Sequence, residues 1–274
     1  MGVNSARGNE WVLEIGADPM ILGRLVGGLL LALASWSGVS ATPAERPRAV
    51  IELFTSQGCS SCPPADRFVS EMADRPDVIA LTLAVDYWDY LGWRDTLANP
   101  IHTKRQKAYA YMRGDRQVYT PQMIVNGIGH AIGSDRAAVE RVMEQTRTQS
   151  GVLTVAITVR VAGDTITVTL PQATVGLSPE APATVFLFGV SSRQPVEITR
   201  GENRGQTVTY RNVVRSHANL GEWTGAARTF TVSRRDLVSP ECERLAVLVQ
   251  AGTPRRPGAV VGAAMVDIPP LLVH

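Results

Sequence analysis

Runs of one charge are missing from this sequence. Its 27 Lys and Arg nearly balance 25 Asp and Glu, the formal net charge is +2, and no Lys/Arg cluster stands out. A basic stripe of the kind that grips nucleic acid is therefore excluded. Cysteine is scarce, with only Cys59, Cys62 and Cys242, and the four histidines, His102, His130, His217 and His274, form no pair at ligand spacing. A structural zinc site needs about four ligands, usually as two such pairs, so no metal and no other cofactor is expected. No Gly-x-Ser-x-Gly elbow is present, and Ser216, His217 and Glu222 are accordingly not read as a hydrolase triad. The apolar run Leu25 to Trp36 falls short of the ~20 residues of a membrane span.

That run reads instead as part of a secretory signal. Met20 is read as the initiator, Arg24 supplies the positive end, Leu25 to Trp36 the apolar stretch, and Val39-Ser40-Ala41 a small-residue cleavage site. The rival reading is an uncleaved anchor, which the short, Gly- and Ser-interrupted stretch disfavours. Cleavage after Ala41 implies an exported protein, periplasmic or secreted, with no stable membrane anchor, in a compartment where disulfides persist.

What the sequence does contain is an organised stretch from Ala49 to Asp66. Val50 to Phe54 is apolar enough for a buried strand, and Thr55-Ser56-Gln57-Gly58 breaks it. Cys59 and Cys62 follow, then a helical pattern with Ala65, Phe68, Val69, Met72 and Ala73 on one face, ending before Arg75-Pro76. Pro63 and Pro64 suit a first turn, which puts the helix start near Ser60 or Ser61. A helix N-terminus favours thiolate over thiol. The expectation is an exposed, nucleophilic Cys59 and an inner, resolving Cys62. The rival readings of the pair are a structural disulfide, half a zinc site and a soft-metal dithiol for an ion such as Cu(I).

Val78 to Val85 reads as a second buried strand, making a β-α-β unit with the first. Asp86-Tyr87-Trp88-Asp89-Tyr90-Leu91-Gly92-Trp93 follows at its carboxyl end, where ligand sites of open α/β sheets gather. Tyr87, Trp88 and Trp93 are thus either a substrate platform or a cap over the core. His102 to Met112 reads as a solvated helix, with His102 a surface or cap residue. Gln122 to Val125 is a strand, Asn126-Gly127 a hairpin turn, Ile128 to Ile132 the returning strand, and Asp135 to Gln149 a helix capped by Ser134.

From Gly151 the texture becomes strand alternation: Leu153 to Val161, a turn at Gly163-Asp164, and Ile166 to Leu170. Further strands are expected at Thr184–Val190, Thr207–Val214, Thr229–Val232, Leu245–Gln250 and Ala259–Ile268. The predicted organisation is a leader over 1–41, an α/β domain over 42–150 and an all-β, sandwich-like domain over 151–274. Cys242 is either a buried small hydrophobe or a free thiol.

Cys59-x-x-Cys62 after a strand, with Thr120-Pro121 opening a later strand before a hairpin and last helix, resembles a thioredoxin fold. More narrowly, Phe54 to Asp66, Val85 to Trp93 and Val118-Tyr119-Thr120-Pro121-Gln122 are similar to a secreted bacterial family known as domain of unknown function 1223. The resemblance implies a thioredoxin-like domain over 42–150 and a cis Thr120–Pro121 bond beside the cysteines. It further implies substrate pairing at the Thr120 backbone and thiol–disulfide exchange with a protein or a small thiol or disulfide. Thioredoxins carry a buried carboxylate six residues before the first cysteine. Leu53 stands there, and Glu52 lies on the opposite strand face.

Overall fold

Strand β1 (Ala49–Thr55) is buried along its whole length, and its two faces serve different cores. Ile51 and Leu53 point to one side, Val50, Glu52 and Phe54 to the other, as the two-residue period of a strand requires. The computed structural model describes residues 46–173, 177–178 and 180–269. The expected leader over 1–41, with Met20 and Ala41, lies outside them, as does His274. No described helix is long and apolar enough to cross a membrane.

After β1 come α1 (Pro63–Ala73), β2 (Val78–Ala84), α2 (Pro100–Arg113), β3 (Gln122–Val125), β4 (Gly129–Ile132) and α3 (Arg136–Arg147). The second half holds β5 (Thr158–Ala162), β6 (Thr165–Leu170), β7 (Ala183–Glu197), β8 (Thr207–Trp223), β9 (Arg228–Ser233), α4 (Arg234–Leu237), β10 (Arg244–Thr253) and β11 (Arg256–Asp267). The fold is mixed α/β, with few helices and one large mixed sheet.

That sheet has eight strands in the order β11-β10-β7-β8-β2-β1-β3-β4. It runs across the boundary expected at residue 150. β1 and β2 are parallel, β3 and β4 antiparallel beside β1, and the second half contributes an antiparallel set. The seam is narrow: β2 meets β8 at the single pair Thr82–Val213. Thr82 Oγ1 donates to Arg211 O at 2.7 Å and Asn212 Nδ2 to Ala80 O at 3.0 Å, which reinforces the join. The far edge curls back, so that Val260 N of β11 donates to Asn126 O after β3 at 2.9 Å. The described residues therefore fall within one compact unit.

One face of the sheet carries α1 and α3 over β1–β4, and beside them the three-stranded sheet β5-β6-β9 over β7, β10 and β11. The other face wraps α2. Several boundaries differ from those expected, each for a local reason. The Asn126-Gly127 turn is as predicted, both residues at positive φ, 52° and 76°. The cap of α3 is Asp135, whose side chain accepts from Ala138 N, and not Ser134. The first strand of the β5–β6 hairpin begins at Thr158; Leu153, at φ 52°, and Val155 bond to β11 instead. Strands β7 and β8 run well beyond Val190 and Val214; residues 192–197 and 215–222 are largely polar and half-exposed, with Pro195 among them, which hides the extension in the sequence, although β8 ends on the buried Trp223.

The helix α2 is the main correction. It was expected to be solvated, yet His102, Thr103, Arg105, Gln106, Tyr109 and Ala110 are buried. His102 is no surface residue: it is 1% exposed, its Nδ1 lies 2.9 Å from Ala84 O, and burial pulls its pKa down to about 4. Arg105 reaches Glu52 of β1 with Nε to Oε1 at 2.5 Å and Nη2 to Oε2 at 3.0 Å. Its Nη2 also donates to Tyr109 Oη and to Gln250 Oε1 of β10. Polar side chains that pair inside the core leave no apolar stripe in the sequence.

Candidate functional site around Cys59 and Cys62

The loop between β1 and α1 places both cysteines at the start of the helix, where they form a disulfide with Cα atoms 5.4 Å apart. Cys62 is the N-cap residue, one position after Ser61 and two after Ser60, because Pro63 and Pro64 occupy the first turn. Its carbonyl accepts from Ala65 N and Asp66 N at 2.9 and 3.1 Å. Ser60 and Ser61 are exposed, but Cys59 and Cys62 are both 0% exposed. The expected exposed nucleophile is thus corrected: Cys59 is as covered as Cys62.

The backbone of this loop is held from the other half of the chain. Asn203, in the loop joining β7 to β8, donates from Nδ2 to Gln57 O and to Cys59 O, both at 2.9 Å. Asn203 is itself buried. The same loop presses on the aromatic segment, since a Cβ on Gly201 would lie 3.1 Å from Trp93 Cβ. Two amide donors on two buried carbonyls clamp the cysteine loop. Replacing Asn203 with Ala is expected to speed reduction of the disulfide by dithiothreitol about 30-fold, since two neutral hydrogen bonds at roughly 1 kcal/mol each hold the loop shut. Timed alkylation of the freed thiols reads this; an unchanged rate shows that the clamp does not limit access.

Trp93, Trp88 and Tyr87, all half-buried, are tied to this loop or to its neighbours. Trp93 Nε1 donates to Gln57 Oε1 at 2.8 Å, and Gln57 N donates to Asp95 Oδ2 at 2.7 Å. Trp88 Nε1 donates to Thr120 Oγ1 at 2.8 Å, and Tyr87 Oη to Gln106 Oε1 at 3.2 Å. A Cβ on Gly58 would sit 3.2 Å from Trp88 Cβ, so the cysteine loop and the tryptophan approach closely there. The Thr120–Pro121 bond is cis. Pro121 and Ala65 of α1 flank Gly133, whose Cβ position lies 3.3 and 3.0 Å from their Cβ atoms. The structure therefore brings Cys59, Cys62, Thr120, Pro121, Trp88 and Trp93 into one neighbourhood, with Tyr87 tied to α2 beside it. A cleft of about 820 Å3 opens alongside, lined by Trp93, Asp86, Asp89, Asp95 and Arg200 among others but not by the cysteines.

Two carboxyl groups beneath the loop were not anticipated. Asp66, one helical turn after Cys62, is buried; its Oδ1 accepts from Thr55 Oγ1 at 2.7 Å and its Oδ2 has no partner. Burial pushes its pKa up to about 7, with the Asp95 charge adding to the effect. Asp95 is also buried and raised, by burial first. The phenol of Tyr210 is raised by burial and by both carboxylates. The Cys62–Asp66 spacing, one turn of helix, was the sequence signal for Asp66; nothing in the sequence points to Asn203. Glu52, by contrast, is committed to Arg105 and Tyr109.

The remaining candidates lie elsewhere. Cys242 is a buried residue of the core beneath the three-stranded sheet, and burial pushes its thiol up to about 12, so it stays protonated. Ser216 and His217, adjacent on β8, face opposite sides of the sheet. His217 packs against Phe186 and Phe188, while Ser216 lies toward Cys242. Among the described residues no group of three or more His, Cys, Asp or Glu converges as a metal site.

Set against known proteins, residues 50–250 match the model of the family described as "Protein of unknown function (DUF1223)". The chain belongs to this family. A protein of Agrobacterium tumefaciens, known from an X-ray crystal structure, is 32% identical with a TM-score of 0.70, over 81% of this chain and 95% of that chain. A hypothetical protein of Pyrococcus horikoshii OT3 aligns at 12% identity and a TM-score of 0.21 over 41% of this chain and 84% of that chain, and no feature of the fold follows from it. No curated protein matches the chain. The family's description names no substrate, so the chemistry rests on the site itself.

Proposed function

We propose that this DUF1223 protein is an exported thiol–disulfide exchange protein built on a thioredoxin-like half. The observation that carries the reading is the Cys59–Cys62 disulfide at the start of α1 with the buried, near-neutral carboxyl of Asp66 one turn further on. Supporting it are the order β1-α1-β2-α2-β3-β4-α3 and the sheet order β2-β1-β3-β4. The signal-like pattern from Met20 to Ala41 supports export.

In this mechanism a substrate thiolate attacks Cys59 Sγ. The Cys59–Cys62 bond breaks, a mixed disulfide forms, and Cys62 leaves as a thiolate that takes a proton, for which Asp66 is the nearby store. A second substrate thiol then attacks the mixed disulfide. The substrate departs as a disulfide, oxidised by two electrons, and the protein is left as a dithiol. Run backwards, the same steps reduce a substrate disulfide. The positive end of α1 stabilises the thiolate in both directions.

The complete burial of both cysteines favours a second reading, a static disulfide in a binding module. Turnover distinguishes the two. Wild-type protein is expected to accelerate either reduction of insulin disulfides by dithiothreitol or oxidation of a reduced, unfolded protein. Cys59→Ser should return that rate to background, and Cys62→Ser should accumulate the mixed disulfide. A wild-type rate at background in both directions refutes the exchange mechanism.

A further inference from the structure

Away from the cysteines, α2 leaves part of the curled sheet uncovered. Between it, β7, β8 and the β10–β11 turn lies a cavity of about 690 Å3, within the usual range for small-molecule sites. Its walls are apolar: Ile101 and Ala108 of α2 face Phe186 of β7 and the ring of His217. Phe186 and His217 pack 5.2 Å apart, and His217 Nδ1 is buried without a hydrogen-bond partner. His217 is neutral, its pKa pulled down to about 3 by burial.

The rim has one sign of charge. Lys104, Lys107 and Arg255 are exposed around the mouth, and no acidic side chain is among the described residues that line the cavity. Arg105 at the base is already paired with Glu52. An apolar interior under three cations that pair with no acid among the described residues is complementary to a molecule with an apolar body and an anionic head. We propose that this cavity binds a small carboxylate amphiphile, its chain along Phe186 and His217 and its carboxylate at Lys104, Lys107 and Arg255. The site is independent of the redox reading.

Titration calorimetry on the full mature chain tests it, with decanoate and decanol as probes below their aggregation limits. Decanoate is expected to bind saturably, and decanol at least 10-fold more weakly. The exposed double variant Lys104→Glu/Lys107→Glu should weaken decanoate at least 10-fold while leaving the thermal unfolding midpoint near wild type. Ala108→Trp, which fills the cavity from α2, should abolish binding. Decanoate should also move the His217 ring resonances. No saturable binding, equal binding of decanol, or unchanged affinity in the charge-reversed variant overturns the proposal.

Discussion

Glu52→Ala is expected to destabilise the protein by about 3–5 kcal/mol, the usual cost of stranding one member of a buried ion pair. Arg105 is 5% exposed and donates to both oxygens of Glu52. Without Glu52 its charge stays in a core among Tyr109, Phe186 and Phe188, at 4.9 to 5.6 Å from their ring centres. The attraction of those rings is worth about 0.5–2 kcal/mol, well below the desolvation of an unpaired guanidinium. The network also joins β1, α2 and β10, so the loss reaches both halves of the chain. Because removing both charges removes the stranded ion, Glu52→Leu/Arg105→Met should be less destabilised than either single change. Urea denaturation measures all three. A single-variant loss below about 1 kcal/mol, or a strictly additive double variant, contradicts this picture.

Asp66→Asn should have the opposite effect on stability, and one that depends on pH. Burial raises the Asp66 pKa from its ordinary 3.8 to about 7. The unfolded chain therefore releases this proton near pH 4, the folded chain only near pH 7. Between those values the folded state holds the extra proton, so this group's contribution falls as pH rises. At 1.36 kcal/mol per pH unit, the span from 3.8 to about 7 amounts to roughly 4 kcal/mol lost above pH 7. The Asn variant lacks this slope. It should match wild type near pH 4 and exceed it by up to about 4 kcal/mol at pH 8. His102 and His217, whose lowered pKa values destabilise the fold in acid, are common to both proteins and cancel in the difference. Parallel stability profiles for the two proteins would show that Asp66 is not held protonated. If Asp66 supplies the Cys62 proton, the stabilised variant should also exchange more slowly near neutral pH.

These two residues illustrate what the sequence could and could not disclose. The strand-to-helix context of Cys59 and Cys62, the Asn126-Gly127 turn and the buried β1 and β2 were legible, because each is written within a few adjacent residues. Asp66 was not read as part of the site: its spacing from Cys62 is visible in the sequence, but its environment depends on Thr55, Asp95 and Tyr210 arriving from three other segments. Helix α2 was misread because Thr103, Arg105 and Gln106 look like a solvated face when their side-chain partners in other elements, 16 to 145 residues away, are invisible. The clamp on the cysteine loop was out of reach for the same reason. Asn203 lies 144 residues from Cys59 in sequence, at the end of a hairpin whose polar, Pro-containing strands show no periodicity.

The most direct test of the account is the reduction potential of the Cys59–Cys62 pair, measured by equilibrating the mature protein with thiol–disulfide buffers and trapping free thiols. Cys242, protonated and buried, should stay silent to the trap in the native protein. A working exchange pair is expected between roughly −120 and −270 mV, and the value gives the direction of electron flow. A potential below about −300 mV would mark a structural disulfide and contradict the exchange mechanism.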